Sequence, residues 1–281
     1  MNGNTFKKSK ERKNENDACD SLPDSRYARA RWRTGYGECD MNVSWFSAGV
    51  SSAVATKLVI AELDAIIYTH IDDQHPDTMR FVRDCEAWFG KSITILQSYY
   101  RNVETVSLAM GFINSPRGGG AQCTRKLKRR VRKEWEDQRV GIDFVYFWGM
   151  DANEEKRCDG LRLAMPDQQH RFPLIEHALT KEDAHAILAK AGIRRPEMYD
   201  LGYQNNNCIG CVKGGMGYWN KIRVDFPAVF AARAAMERRI GGSCLNGTYL
   251  DELDPNAGRI DGPICEDCGI FCELARKDLM K

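Results

Sequence analysis

Long apolar runs are missing from this chain. No stretch of its first forty residues could serve as the core of a secretory leader or as a membrane span, which predicts a cytoplasmic protein with no membrane partner. An excess of one charge is missing too. Lys and Arg number 41 against 39 Asp and Glu, a net +2 over 281 residues, so the chain as a whole carries no polyanion-binding signature. Any nucleic-acid contact must come from a local patch. Histidine is scarce at five, which leaves few nitrogens to complete a metal site. Cysteine, by contrast, is plentiful at eleven, and in a reducing compartment clustered thiols point to metal or catalysis more than to disulfides.

The chain is organised around Val43 to Leu58. An apolar run ends at Phe46, small residues fill Ser47 to Ser52, and Val54 and Leu58 then recur at helical spacing. Strand, tight turn and helix result. Such a turn aims backbone N–H groups and hydroxyls at the positive end of a helix, where an anion is favoured. Gly49 allows close backbone approach, and Ser47, Ser51 and Ser52 add donors without bulk. The lysine of a Walker A loop is absent, so ordinary γ-phosphate transfer is not the expected chemistry. The plain alternative is a serine-rich cap on a structural helix.

Residues 1–40 are polar and basic and read as a disordered tail. From Met41 strands and helices alternate. Strands are predicted at Ala65 to His70, Ser92 to Leu96 and Asp143 to Trp148; Pro76 is placed at the first position of a helix that Gly90 stops. The alternation predicts an α/β fold, a doubly wound and mostly parallel sheet, with ligands beyond the carboxyl ends of its strands. Thr180 with Asp183 reads as a near capping box, opening a helix to Ala191. The expected division is a nucleotide-binding α/β domain over 41–205 and a Cys-rich C-terminal appendage over 206–281.

Three cysteine sites stand out: Cys123, the pair Cys208 and Cys211 in Cys-Ile-Gly-Cys, and Cys265, Cys268 and Cys272 near the end, with Cys244 between the last two. C-x-x-C spacing brings two sulfurs to one side of a turn, so these seven are the candidate metal ligands, an iron–sulfur cluster being favoured over zinc. Spacing leaves open which of them share a centre. The helix after Cys123 is densely basic, with Arg125, Lys126, Lys128, Arg129, Arg130, Arg132 and Lys133 around an apolar line of Leu127, Val131 and Trp135. Its cations suit a nucleotide phosphate or a nucleic-acid backbone, or are simply solvated. Gly149 to Arg157 follows the fourth strand, and Asp151, Glu154, Glu155 and Arg157 are placed to line the cleft of the serine turn or to form an acidic first helical turn. His70, Asp72, Asp73 and His75 hold the equivalent position after the second strand, as candidates for ribose, base or magnesium contacts.

In order along the chain, these pieces resemble the phosphoadenosine phosphosulfate (PAPS) reductase family, within the PP-loop ATP pyrophosphatases of the adenine nucleotide α-hydrolase-like superfamily. Ser47-Ala-Gly-Val-Ser-Ser52 looks like the PP-loop, His75-Pro-Asp-Thr78 like the family's His-Pro-Glu-Thr, and Gly149 to Arg157 like its Gly-Ile-Arg-Ala-Glu-Glu-Ser-x-Arg. Pro173-Leu-Ile, Tyr199-Asp200 and Gly202-Tyr203 then lead into Cys208-Ile-Gly-Cys211. The resemblance implies an adenine nucleotide, ATP or PAPS, with Mg2+, held by Ser47, Ala48, Gly49, Val50, Ser51, Ser52, His70, Asp72, Lys126 and Gly149. It also implies catalytic roles for Cys123, Arg157 and Cys268, the last in Asp267-Cys-Gly-Ile-Phe271, where the reductases carry Glu-Cys-Gly-Ile/Leu-His. Cluster-bearing relatives use a Cys-Cys pair and a later C-x-x-C; here Gln122-Cys123 supplies one thiol of the first pair, and Cys244 or a C-terminal cysteine would complete the set.

Departures from the family pattern steer the activity. Ser51 replaces the loop's Asp, and Asp151 replaces an Arg that would face an anionic substrate. These changes suit ATP-dependent adenylation of an acceptor followed by sulfur transfer, as in tRNA- or DNA-thiolating relatives, with a sulfur or thiol donor protein as partner. The alternatives are a PAPS or adenosine phosphosulfate reductase that releases sulfite, and a non-catalytic nucleotide- or nucleic-acid-binding module.

Overall fold

Strand and helix alternate from Cys39 to Arg171 in the computed structural model, which describes residues 39–114, 120–245 and 247–259. The strands are β1 (Cys39–Phe46), β2 (Ala65–His70), β3 (Thr94–Gln97), β4 (Ile142–Phe147) and β5 (Gln169–Arg171). Their order is β3-β2-β1-β4-β5 in one parallel sheet, with Val43 opposite Ala65, Ile67 opposite Thr94 and Val145 opposite Gln169. The doubly wound sheet expected from the alternation is therefore present. Strand order reverses between β1 and β4, and in open parallel sheets that reversal opens a crevice at the carboxyl ends. The turn after β1 and the loop after β4 both lie there.

Period-two alternation assigns the two faces. Phe46, Ile66, Tyr68 and Phe147 pack with α1 (Val50–Leu58), α2 (Thr78–Phe89) and α7 (Lys181–Lys190), through Val54, Phe81 and Leu188. Val43, Ile67, Phe144 and Tyr146 take the other face with Trp135 of α4 (Arg130–Asp137). Burying each such side chain contributes about 1.5–3 kcal/mol, so these two cores outweigh any single turn in holding the sheet.

A further core gathers Ile71 and Val106 of α3 (Val103–Met110) with Leu127, Trp219 of α9 (Met216–Asp225) and Met236 of α10 (Pro227–Ile240). Two buried charges tie this region down. Arg233 is 4% exposed and pairs with Asp73, while Glu237, 0% exposed, accepts the N–H groups of Cys244 at 2.5 Å and Leu250 at 2.6 Å.

Four local readings differ from expectation. Pro76 lies outside α2, whose N-cap is Asp77, because the chain first makes a turn closed by Thr78 N–H to the His75 carbonyl. The third strand is Thr94–Gln97 and not Ser92 to Leu96, Ile93 N–H being taken by Glu86. The basic helix begins as a π-helix over Cys123–Arg129 and becomes α-helical only at Arg130, yet Leu127, Val131 and Trp135 are buried as one line. β5, three polar residues long, has no periodic signal in the sequence. Thr180 does cap α7, exchanging hydrogen bonds with Asp183 in a full capping box. The basic tail over 1–38 and Cys265, Cys268 and Cys272 lie outside the described residues. Among the described residues no helix is long and apolar enough to cross a membrane.

Candidate functional site

The turn between β1 and α1 is built around one hydroxyl. Ser52 Oγ accepts from the N–H groups of Ser47 at 3.2 Å and Gly49 at 3.3 Å and from the Ser47 hydroxyl at 2.9 Å, and donates to the Gly49 carbonyl at 2.9 Å. Ser52 is thus a structural hub. Ala48 adopts φ 58°, a left-handed conformation that costs a non-glycine residue about 1–2 kcal/mol. The bend leaves the N–H groups of Ser51 and Ser52 in the first helical turn, where no intrahelical acceptor exists. Ser47 is exposed and Ser51 half-buried, so their hydroxyls are within reach of a ligand.

Three contacts from distant segments fix this bend. The Asn206 side-chain amide donates to the Ala48 carbonyl at 2.7 Å and shares hydrogen bonds with the buried Thr78 hydroxyl. Tyr199 is buried, and its hydroxyl accepts from the N–H groups of Val50, at 3.3 Å, and Asn206. Behind it His185 meets the Tyr199 ring edge-on at 4.6 Å, and burial pulls the imidazole down to about 4. Finally, Gly149 backs directly onto the turn. A Cβ there would stand 2.3 Å from Ser52 Cα, so only glycine lets β4 close the crevice against α1.

The cysteine turn hangs from the same scaffold. Cys208, two residues past Asn206, bridges Gln74, and Ile209 N–H donates to the Asp73 carbonyl at 2.8 Å. The Tyr218 hydroxyl accepts from Cys211 N–H at 2.8 Å and donates to the Cys208 carbonyl at 3.1 Å, closing the C-x-x-C turn. Gly210 has φ 67°, and a Cβ on it would meet Val229 at 2.8 Å. Four thiols from three stretches of chain feel one another here. Burial pushes Cys208 up to about 12, with the Cys211 and Cys123 charges adding and Lys128 opposing. Cys123 is raised by burial and then by Cys211, against Lys213 and Lys128; Cys244 is raised by burial, by Glu237 and by Cys211. These four are free thiols, and among the described residues no group of three or more His, Cys, Asp or Glu side chains is arranged to hold a metal ion.

The remaining candidates divide. Ser47 to Ser52 and Gly149 converge at the crevice; Asp151, two residues on, is buried with its carboxyl raised by that burial, and its hydrogen-bond partners are Asn153 and Glu154 rather than the serine turn. Arg157 is paired with Glu154, its side chain 69% exposed. His70 belongs to a separate network at the end of β2, with Tyr68 and Gln74. Asp72 is engaged by Gln97 at 2.6 Å and Arg101 at 2.9 Å, and both oxygens of Asp73 are taken by Arg233 and Val103 N–H. Lys126 is tied by its backbone to the turn after β3, its carbonyl accepting the Ser98 hydroxyl at 3.1 Å, and not to the Ser47–Ser52 turn. Asn206 and Tyr218 escaped sequence reasoning, and Tyr199 entered it only within Tyr199-Asp200 of the family order, without a role. The polar run Asn205-Asn206-Asn207 directly before a C-x-x-C is a signal that could have marked Asn206.

No protein-family model matches the chain, and no curated protein matches it. Among solved structures, the phosphoadenylyl-sulfate (PAPS) reductase of Candida auris, in a phosphate complex, is similar over 65% of this chain and 87% of that one, at 13% identity and a TM-score of 0.42.

Proposed function

We propose that the protein is an enzyme of nucleotide-dependent sulfur chemistry, adenylating an acceptor with ATP and passing sulfur to it. Supporting this reading is one connection above all: the Asn206 amide that grips the Ala48 carbonyl sits two residues from Cys208, so phosphate turn and thiols share a support. In this reading residues 41–205 bind the nucleotide and contribute Cys123, and 206–281 bring the other candidate cysteines. Ser51 and Ser52 N–H groups, with the Ser51 hydroxyl, take the phosphates of an adenine nucleotide, while the Ser47 hydroxyl, donating to Ser52 Oγ, holds the turn in shape. An acceptor oxygen attacks the α-phosphorus and pyrophosphate leaves. The terminal sulfur of a donor protein's cysteine persulfide then displaces AMP, and a second thiol cleaves the S–S bond, leaving the sulfur on the acceptor and a disulfide between the two thiols. The acceptor is a nucleic acid, tRNA or DNA.

Cys123, Cys208, Cys211 and Cys244 are soft ligands of the kind an iron–sulfur cluster or zinc takes, but no three of them are arranged to hold a metal ion, so their geometry does not fit such a group and no step of the reaction above passes through it. Mg2+ is a different case. Asp72 and Asp73 already use their carboxylate oxygens, so the metal would arrive on the nucleotide phosphates rather than in a carboxylate cage.

The test is product analysis with radiolabelled ATP and an RNA or DNA acceptor. AMP and pyrophosphate are expected, with loss of at least tenfold in Ser51→Pro, which removes a turn donor. ADP as product would exclude the mechanism, and sulfite release from PAPS that depends on Cys268 would assign the reductase activity instead.

A further inference from the structure

The basic run after Cys123 has two electrically different halves. Beyond Arg129 each cation has an acidic partner one turn on: Arg130 with Glu134 at 2.6 Å, Arg132 with Glu136 at 3.0 Å, Lys133 with Asp137 at 3.0 Å. Within the π-helix, Arg125, Lys128 and Arg129 are exposed and have no ion-pair partner among the described residues; the same holds for exposed Lys213, in the loop after Cys211. Lys128 and Lys213 lie close enough to Cys123 for their charges to act on its thiol. Unpaired cations therefore occupy the first half of the run, with Lys128 and Lys213 near Cys123, and self-neutralised ones the second half.

The turn that carries Tyr99, 94% exposed, is tied to the unpaired half of the helix through the Ser98 hydroxyl and the Lys126 carbonyl. That exposure is built in. Tyr99 occupies the tip of a turn closed by Arg101 N–H to the Ser98 carbonyl at 3.0 Å. Arg101 is held at φ 63°, a conformation costing about 1–2 kcal/mol, and its guanidinium is tied to Asp72. Tyr100, packed against the neighbouring core, meets the Tyr99 ring edge-on at 5.8 Å. A large aromatic held in water by a strained turn, anchored to a helix segment of unpaired cations, is the composition of a base-stacking platform with a phosphate track.

We propose that Tyr99, with Arg125, Lys128, Arg129 and Lys213, binds single-stranded nucleic acid, a base stacking on the tyrosine while the cations take the flanking phosphates next to the thiols. This rests on the reading above that the acceptor is a nucleic acid, and narrows it to an unpaired strand. A duplex keeps its bases stacked on each other and offers no free face to Tyr99.

Fluorescence anisotropy with the full-length protein and a labelled 15-nucleotide single strand, its duplex, and heparin as a polyanion control tests the proposal. Tyr99→Ala is expected to weaken single-strand binding about 5- to 100-fold, Tyr99→Phe to preserve it, and neither to change heparin binding. Lys128→Ala weakens both, and lowers the slope of log K against log salt by about 0.7. Single-strand binding unchanged within twofold in Tyr99→Ala, or a duplex bound as tightly as a single strand, would overturn the platform. ATP affinity, measured separately by calorimetry, separates the two ideas: strand binding that needs Tyr99 in a protein that never binds ATP would leave the platform standing and remove the sulfur-transfer reading. ATP cleavage to AMP by Tyr99→Ala at the wild-type rate with the single strand would remove the platform and leave that reading.

Discussion

The serine turn and the thiol locus share the support of the Asn206–Cys208 stretch and are made in opposite ways. The turn closes on itself within six residues around the Ser52 hydroxyl, and it carries no charged side chain. The thiol locus collects Cys123, the Cys208–Cys211 turn and Cys244 from separate stretches and is held by the buried ions Arg233 and Glu237. A local motif needs outside help only to stay in register; an assembled one exists only as long as its buried charges stay paired.

Removing those charges breaks the comparison most severely. Arg233→Ala leaves Asp73 without its partner and is expected to cost about 3–5 kcal/mol in urea unfolding, and to speed alkylation of Cys208 and Cys244 without changing the turn. His185 comes next. Its folded value near 4 lies below the ordinary 6.5, so the unfolded chain takes up the proton first. Its contribution is full above about 6.5 and is lost as pH falls toward about 4; His185→Leu should flatten that part of the stability profile followed by thermal melts at stepped pH. Gly149→Ala forces a methyl into the Ser52 backbone and should cost about 1–3 kcal/mol, with loss of ATP binding by calorimetry while Cys208 reactivity is kept. Smallest is Ala48→Gly, which relieves the left-handed strain and should stabilise by up to about 1 kcal/mol in the same urea titration.

The same contrast explains what could be read in advance. β1, β2, β4 and the capped α7 follow from short apolar runs and from Thr180 with Asp183, because their determinants are neighbours in the chain. The bend at Ser47 to Ser52 was legible for that reason too. The supports of the bend were not. Asn206 lies 158 positions from Ala48, and Gly149 meets Ser52 only because the strand order reverses between β1 and β4. Cysteine spacing likewise marked the C-x-x-C pair, yet the influence of Cys211 on Cys123 and Cys244 arises from tertiary packing around Leu127, Trp219 and Met236. The basic run read as one amphipathic helix, and its split into unpaired and neutralised halves depends on where acidic residues fall one turn on.

Cysteine alkylation, followed by mass spectrometry with and without ATP, tests most directly whether the turn and the thiols act as one site. ATP is expected to change the labelling rate of Cys208 and Cys211 at least threefold in the wild type and to leave it unchanged in Asn206→Ala, where the shared support is cut. ATP that binds tightly yet leaves both cysteines labelling at the same rate in the wild type would contradict the account.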